Sequence, residues 1–150
     1  MEFEKVIASA GLRYHSGLQA MPGKDRQKIE VENTHKIGGS VALDEDLKKK
    51  FPHACRWDYA VGYGDSAAGT LYFIEIHPSN GEKTASEIRK KKEWLSHWLN
   101  HEGRPLESYG TKKRFCWVSS GGSLPPKNAN VYRIAAIAGV EGPLPRLKLE

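Results

Sequence analysis

Apolar residues concentrate in two runs near the middle of the chain, Arg56-Trp57-Asp58-Tyr59-Ala60-Val61-Gly62-Tyr63 and Leu71-Tyr72-Phe73-Ile74-Glu75-Ile76-His77, and both read as strands. The Gly-containing link over residues 64–70 suits an antiparallel hairpin. Upstream, Phe3, Val6, Ile7 and Ala10 recur at helical spacing before Gly11, so residues 3–10 predict a short helix. Residues 11–28 mix Gly, Pro and charge without period and read as irregular surface, followed by a brief strand at Ile29-Glu30-Val31-Glu32. Asp44 is placed to cap a helix over residues 45–51, with Leu47 and Phe51 one turn apart and Pro52 as its stop.

Downstream, Thr84-Ala85-Ser86-Glu87 has the form of a capping box and predicts a helix over residues 85–101. At about 100° per residue, Ile88, Leu95 and Leu99 cluster within roughly 40°, with Trp94 and Trp98 on one flank, so that stripe faces the sheet. Gly103 and Pro105 end the helix, Phe115-Cys116-Trp117-Val118 predicts a third strand, and residues 131–137 predict a fourth after a loop over 119–130. Residues 143–150, holding Pro143 and Pro145 among alternating charges, predict a mobile tail with little to pack. The expected fold is one α/β (mixed α+β) domain over residues 1–142, with a small sheet of about four strands and a basic amphipathic helix packed on it.

Composition narrows the class. A chain of 150 residues holds one ordinary core, and 39% hydrophobic with 27% charged residues is a soluble globular balance. No window has the roughly 18 apolar residues of a membrane span, and Met1-Glu2-Phe3-Glu4-Lys5 lacks the order of an export signal, so no membrane partner and a cytoplasmic location are expected. Cys55 and Cys116 show no metal-type spacing and read as separate buried thiols. The formal charge of +5 favours an anionic partner without deciding which.

The candidate chemistry lies at the ends of the two central strands. Glu75 and His77 emerge on one side of theirs, and the hairpin can bring Asp58 beside them. Two carboxylates suffice for Mg2+ or Mn2+, which leaves other positions to water and phosphate. Such an ion neutralises charge on a scissile phosphate, a nearby cation supports the transition state, and His77 can orient or deprotonate a water. Register is the condition: Tyr63 paired with Thr70 sets Asp58 opposite Glu75, whereas Tyr63 paired with Leu71 turns Asp58 away, and the sequence leaves both open. Of the four consecutive cations Arg89, Lys90, Lys91 and Lys92, Lys91 lies about 60° to one side of Ile88 and Lys92 about 40° to the other. Either ammonium can turn back toward Glu75, while Arg89, Lys90 and Lys91 give the helix a surface for nucleic acid.

This arrangement resembles the PD-(D/E)xK nuclease superfamily, whose core runs helix, three strands, helix, strand, with metal carboxylates on the second and third strands. The similarity spans residues 44–118 and is to a degenerate member. It implies that Asp58 stands for the first acid, Glu75 for the second and His77 for the usual lysine, with Lys91 or Lys92 as a lysine moved onto the helix. It also implies Glu45 as an extra metal acid. Trp57 precedes the first acid where the family often has proline, and the lysine is absent from its usual place.

Three functions compete. The first is a Mg2+- or Mn2+-dependent phosphodiesterase acting on nucleic acid through Asp58 and Glu75, aided by His77 and Lys91 or Lys92. The second is a noncatalytic module of the same fold that binds nucleic acid or a partner protein through the basic helix; a homodimer is compatible with either reading. The third is a metal-independent ribonuclease with His77 as base and His35 as acid. His15, His35 and His101 lack matching ligand spacing, and the Gly-rich stretches 38–40 and 119–123 lack the context of a phosphate loop. Trp94 and Trp98 read as core before base-stacking surface.

Overall fold

The hydrophobic alternation is realised in a computed structural model that describes residues 2–121 and 123–150; Met1 of the N-terminal reading and Gly122 of the Gly-rich loop lie outside them. The elements are α1 (Phe3–Ser9), α2 (Gly23–Arg26), β1 (Ile29–Val31), β2 (Ile37–Ala42), α3 (Leu43–Leu47), β3 (Tyr59–Tyr63) and β4 (Thr70–His77). They are followed by α4 (Glu82–Leu99), β5 (Lys112–Ser119), α5 (Asn130–Ile137), β6 (Glu141–Leu144) and β7 (Leu147–Leu149). Short 3-10 turns occupy Thr34–Lys36 and Arg104–Ser108. Strands β2 to β6 form one sheet in sequence order, antiparallel from β2 to β4 and parallel from β4 to β6. Each parallel step needs a crossover, and α4 and α5 supply the two.

The sheet is covered on both faces, which is why β4 is apolar almost throughout. Leu71 and Phe73 point to the side where α1, α4 and α5 bury Ile7, Ile88, Leu95 and Ala135. Tyr72 and Ile74 point to the other, against Met21, Ile29, Leu147 and Leu149. Glu75 continues the helix-side set and is only 1% exposed. Its ionisation therefore needs a partner from α4 or from β3.

Several expectations require correction. The main sheet has five strands, not about four. Residues 131–137, expected as a strand, lie in α5, because Val131, Ile134, Ala135 and Ala138 repeat at helical spacing and pack on the helix-side core. The tail expected over 143–150 is instead paired: β7 lies parallel to β1 with Ile29 beside Leu147, and Leu147 and Leu149 are buried on either side of Lys148. The short helix is Leu43–Leu47 rather than 45–51, and Asp44 does not cap it but accepts from Arg56 Nε at 3.0 Å. The capping box does not form either. Helix α4 begins one turn early behind Gly81, and Thr84 Oγ1 donates to the Gly81 carbonyl at 2.7 Å.

Other expectations are met. The helix of residues 3–10 and the strand near Ile29 are present. Trp98 is buried and Trp94 stacks on it at 6.2 Å, so this pair belongs to packing. Gly103 accepts the Trp98 ring so closely that a Cβ there would stand 2.6 Å from it, which fixes the turn after α4. Both cysteines are free, although only Cys116 is buried and Cys55 is exposed. Among the described residues no helix is long and apolar enough to cross a membrane.

Candidate functional site

The hairpin adopts the register that aligns the acids. Tyr63 pairs with Thr70 and Tyr59 with Ile74, so the next position back sets Asp58 opposite Glu75. At that step side chains take over from the ladder. Glu75 Oε1 accepts from the Asp58 amide at 3.0 Å, and Asp58 Oδ2 accepts from the Ile76 amide at 3.0 Å. Each acid is thus fixed by the other strand's backbone.

Helix α4 completes the cluster. Lys91 Nζ donates to Glu75 Oε2 at 2.7 Å and to the Arg56 carbonyl at 3.2 Å. His77 Nδ1 stands 3.5 Å from Glu75 Oε2, and its Nε2 lies 3.9 Å from Glu87 Oε2 at the edge of the helix. Asp44 lies behind the group. Its amide donates to the Asp58 carbonyl at 3.4 Å, while its carboxylate holds Arg56.

Burial, followed by the charge of Glu75, pushes the Asp58 carboxyl from 3.8 up to about 7, against the pull of the Ile76 amide and Lys91. For Lys91, burial works to lower the value, but the charge and hydrogen bond of Glu75, with Asp58 and Asp44 beyond, hold it above the ordinary range. Lys91 is therefore a fixed cation at neutral pH. It can stabilise negative charge but cannot act as a base.

Not every expected residue joins. Glu45 is exposed and lies 3.6 Å from Lys48, so it is not a third acid of this site; the acid that α3 does bring near is Asp44. Lys92 leans over the Phe115 ring at 4.4 Å and donates to Ser96 Oγ, which leaves Lys91 as the helix lysine that reaches Glu75. Arg89 lies 4.0 Å from Glu93 and is exposed, as is Lys90, and neither contacts the acids. His35 lines a cavity with Gly38, Gly64 and Asp65 at the turn end of the hairpin, whereas His77 sits at the opposite end of β4. Strand rise puts those ends on the order of 20 Å apart, so the two-histidine ribonuclease site does not form.

On the other side of Asp58 lie groups that the sequence pattern did not mark. A cleft of about 250 Å3 adjoins it, lined by Lys24, Asp25, Lys28, Tyr59 and Ser120 among others. Tyr59 Oη donates to the buried Asp25 at 2.6 Å. The available signal was Lys24 and Lys28 at four-residue spacing, hidden in a segment without period.

Among the described residues no group of three or more His, Cys, Asp or Glu side chains could hold a metal ion. The two acids nevertheless offer oxygen donors only, the type that Mg2+ and Mn2+ prefer. The hydrogen bond that the Asp58 carboxylate accepts falls on Oδ2, and an adjacent cation would offset the burial and the Glu75 repulsion that together raise its pKa. No protein-family model, curated protein or solved structure matches the chain.

Proposed function

We propose that this chain is a metal-dependent phosphodiesterase acting on nucleic acid, with Asp58 and Glu75 as the ligands of Mg2+ or Mn2+. The observation that carries the reading is the placement of Asp58 opposite Glu75 with Lys91 bonded to Glu75 Oε2. With α2, β1 and α3 set aside as additions, the order α1, β2–β3–β4, α4, β5 is compatible with a degenerate PD-(D/E)xK-like core, extended upstream of residues 44–118 to take in α1 and β2. Two free cysteines agree with a reducing compartment such as the cytoplasm.

When bound, the ion would supply charge neutralisation at the phosphate and acidify water. The residues do the rest. Lys91 holds the Glu75 carboxylate in place and keeps a permanent positive charge within the cluster. Asp58, poised near neutrality, binds a cation in its ionised form. His77, with one ring nitrogen toward Glu75 and the other toward the half-exposed Glu87, can accept a proton from an attacking water and pass it outward.

A second reading has one observation in its favour: both Glu75 oxygens already accept from protein donors. That suits a noncatalytic module binding nucleic acid, a partner protein or a second copy, with the acids kept for structure. Cleavage of labelled single- and double-stranded DNA and RNA in Mg2+ or Mn2+ separates the two. Activity lost in Asp58→Ala and Glu75→Ala supports the enzyme; no cleavage, with salt-dependent binding retained in both variants, supports the module.

A further inference from the structure

We propose that the cleft beside Asp58 docks a backbone phosphate of a single nucleic-acid strand, held by Lys24 and Lys28. The inference rests on the phosphodiesterase reading for the identity of the neighbouring site, but its own basis is separate. Lys24 lies on α2, Lys28 follows its C-terminal turn with its amide on the Asp25 carbonyl, and both line the same cleft. Neither lysine forms an ion pair among the described residues, and Lys24 is exposed. Asp25 between them is turned inward and bonded to Tyr59 Oη. Two cations thereby line a cleft that Asp58 also lines.

Size and direction define the ligand. At about 250 Å3 the cleft lies below the roughly 300–1,000 Å3 of a drug-sized ligand pocket, room for a phosphate and part of its sugar but not for a duplex. Tyr59 and Ile76 in its wall pack on the side of the sheet away from α4. The strand therefore approaches from the face carrying α2, and the exposed Arg89 and Lys90 of α4 lie on the opposite side.

The test is the salt dependence of binding of oligothymidylate and oligouridylate in EDTA, with inorganic phosphate as competitor. It compares wild type with Lys24→Ala/Lys28→Ala and Arg89→Ala/Lys90→Ala, all surface changes that leave the core intact. Removal of two phosphate contacts should make the log–log salt slope shallower by about 1.4 and weaken binding roughly tenfold at physiological salt, with the α4 variant unchanged. The proposal is overturned if the α4 variant carries the loss, if wild type does not bind, or if inorganic phosphate binds as tightly as the oligomers. Cleavage assays run in parallel keep the two ideas apart. Slope loss at Lys24 and Lys28 without Asp58-dependent cleavage would leave the docking cleft standing and remove the enzyme; Asp58-dependent cleavage with slope loss at Arg89 and Lys90 would do the reverse.

Discussion

Lys91 on α4 meets Glu75 on β4 at 2.7 Å, and Glu75 is nearly inaccessible to solvent while Lys91 keeps 23% of its side chain exposed. The lysine thus brings charge to an acid that the fold has already buried. Breaking one half of such a pair leaves a charge without compensation, and this asymmetry yields the first expectation.

Lys91→Met should destabilise the protein by about 3 kcal/mol in urea denaturation, because Glu75 loses its partner. Combining it with Glu75→Gln should recover most of that loss. Neither variant should cleave nucleic acid, so stability and activity separate. Full activity in Lys91→Met would remove the lysine from the site.

Asp58 should give stability a distinctive pH dependence. Its folded value of about 7 exceeds the ordinary 3.8, so between these values the folded state binds more protons than the unfolded one. Its contribution to stability is therefore greatest below about pH 4, declines as pH rises to about 7, and is constant above. Asp58→Asn keeps an acceptor for the Ile76 amide and should be more stable than wild type by about 1–2 kcal/mol at pH 8, with no gain at pH 4. Denaturation curves at the two pH values check the sign.

A divalent ion should act on the same group in the opposite sense. Mn2+ added at pH 7 should raise the melting temperature of wild type as saturation proceeds, through preferential binding to the folded state. Asp58→Asn should lose this response. Thermal scans with and without the ion measure it.

The C-terminal strand should matter to folding. Leu149 is fully buried, and Leu149→Ala should cost about 2–5 kcal/mol. Hydrogen exchange should show protection of the Glu32 amide, which donates to the Leu149 carbonyl at 3.0 Å, and its loss in the variant.

The hairpin was legible because Gly and polar residues bound two apolar runs, yet its register was not. Strand β4 is buried on both faces, so its composition marks neither face, and a one-residue slip carries no hydrophobic penalty visible in the sequence. The turn contributes what the pattern omits: Asp65 accepts from the amides of Ala67 and Ala68 at 2.9 and 2.7 Å, shaping the connection. Lys91 and Lys92 were equivalent on a helical wheel and differ only in what β4 and β5 place opposite them, an acid for one and an aromatic ring for the other. Residues 131–137 misled because a seven-residue stretch that is apolar except for Tyr132 and Arg133 fits either period at a glance, and Leu147-Lys148-Leu149 was a strand hidden behind two prolines. Lys24 and Lys28 gained meaning only when the fold laid α2 beside Asp58.

The most direct measurement is a calorimetric titration of Mn2+ into wild type, Asp58→Ala and Glu75→Ala at pH 7.5, with folding verified by circular dichroism. Wild type should bind Mn2+ saturably, and both variants should lose that binding. Equal binding in either folded variant, or none in wild type, would contradict a metal shared by these two carboxylates.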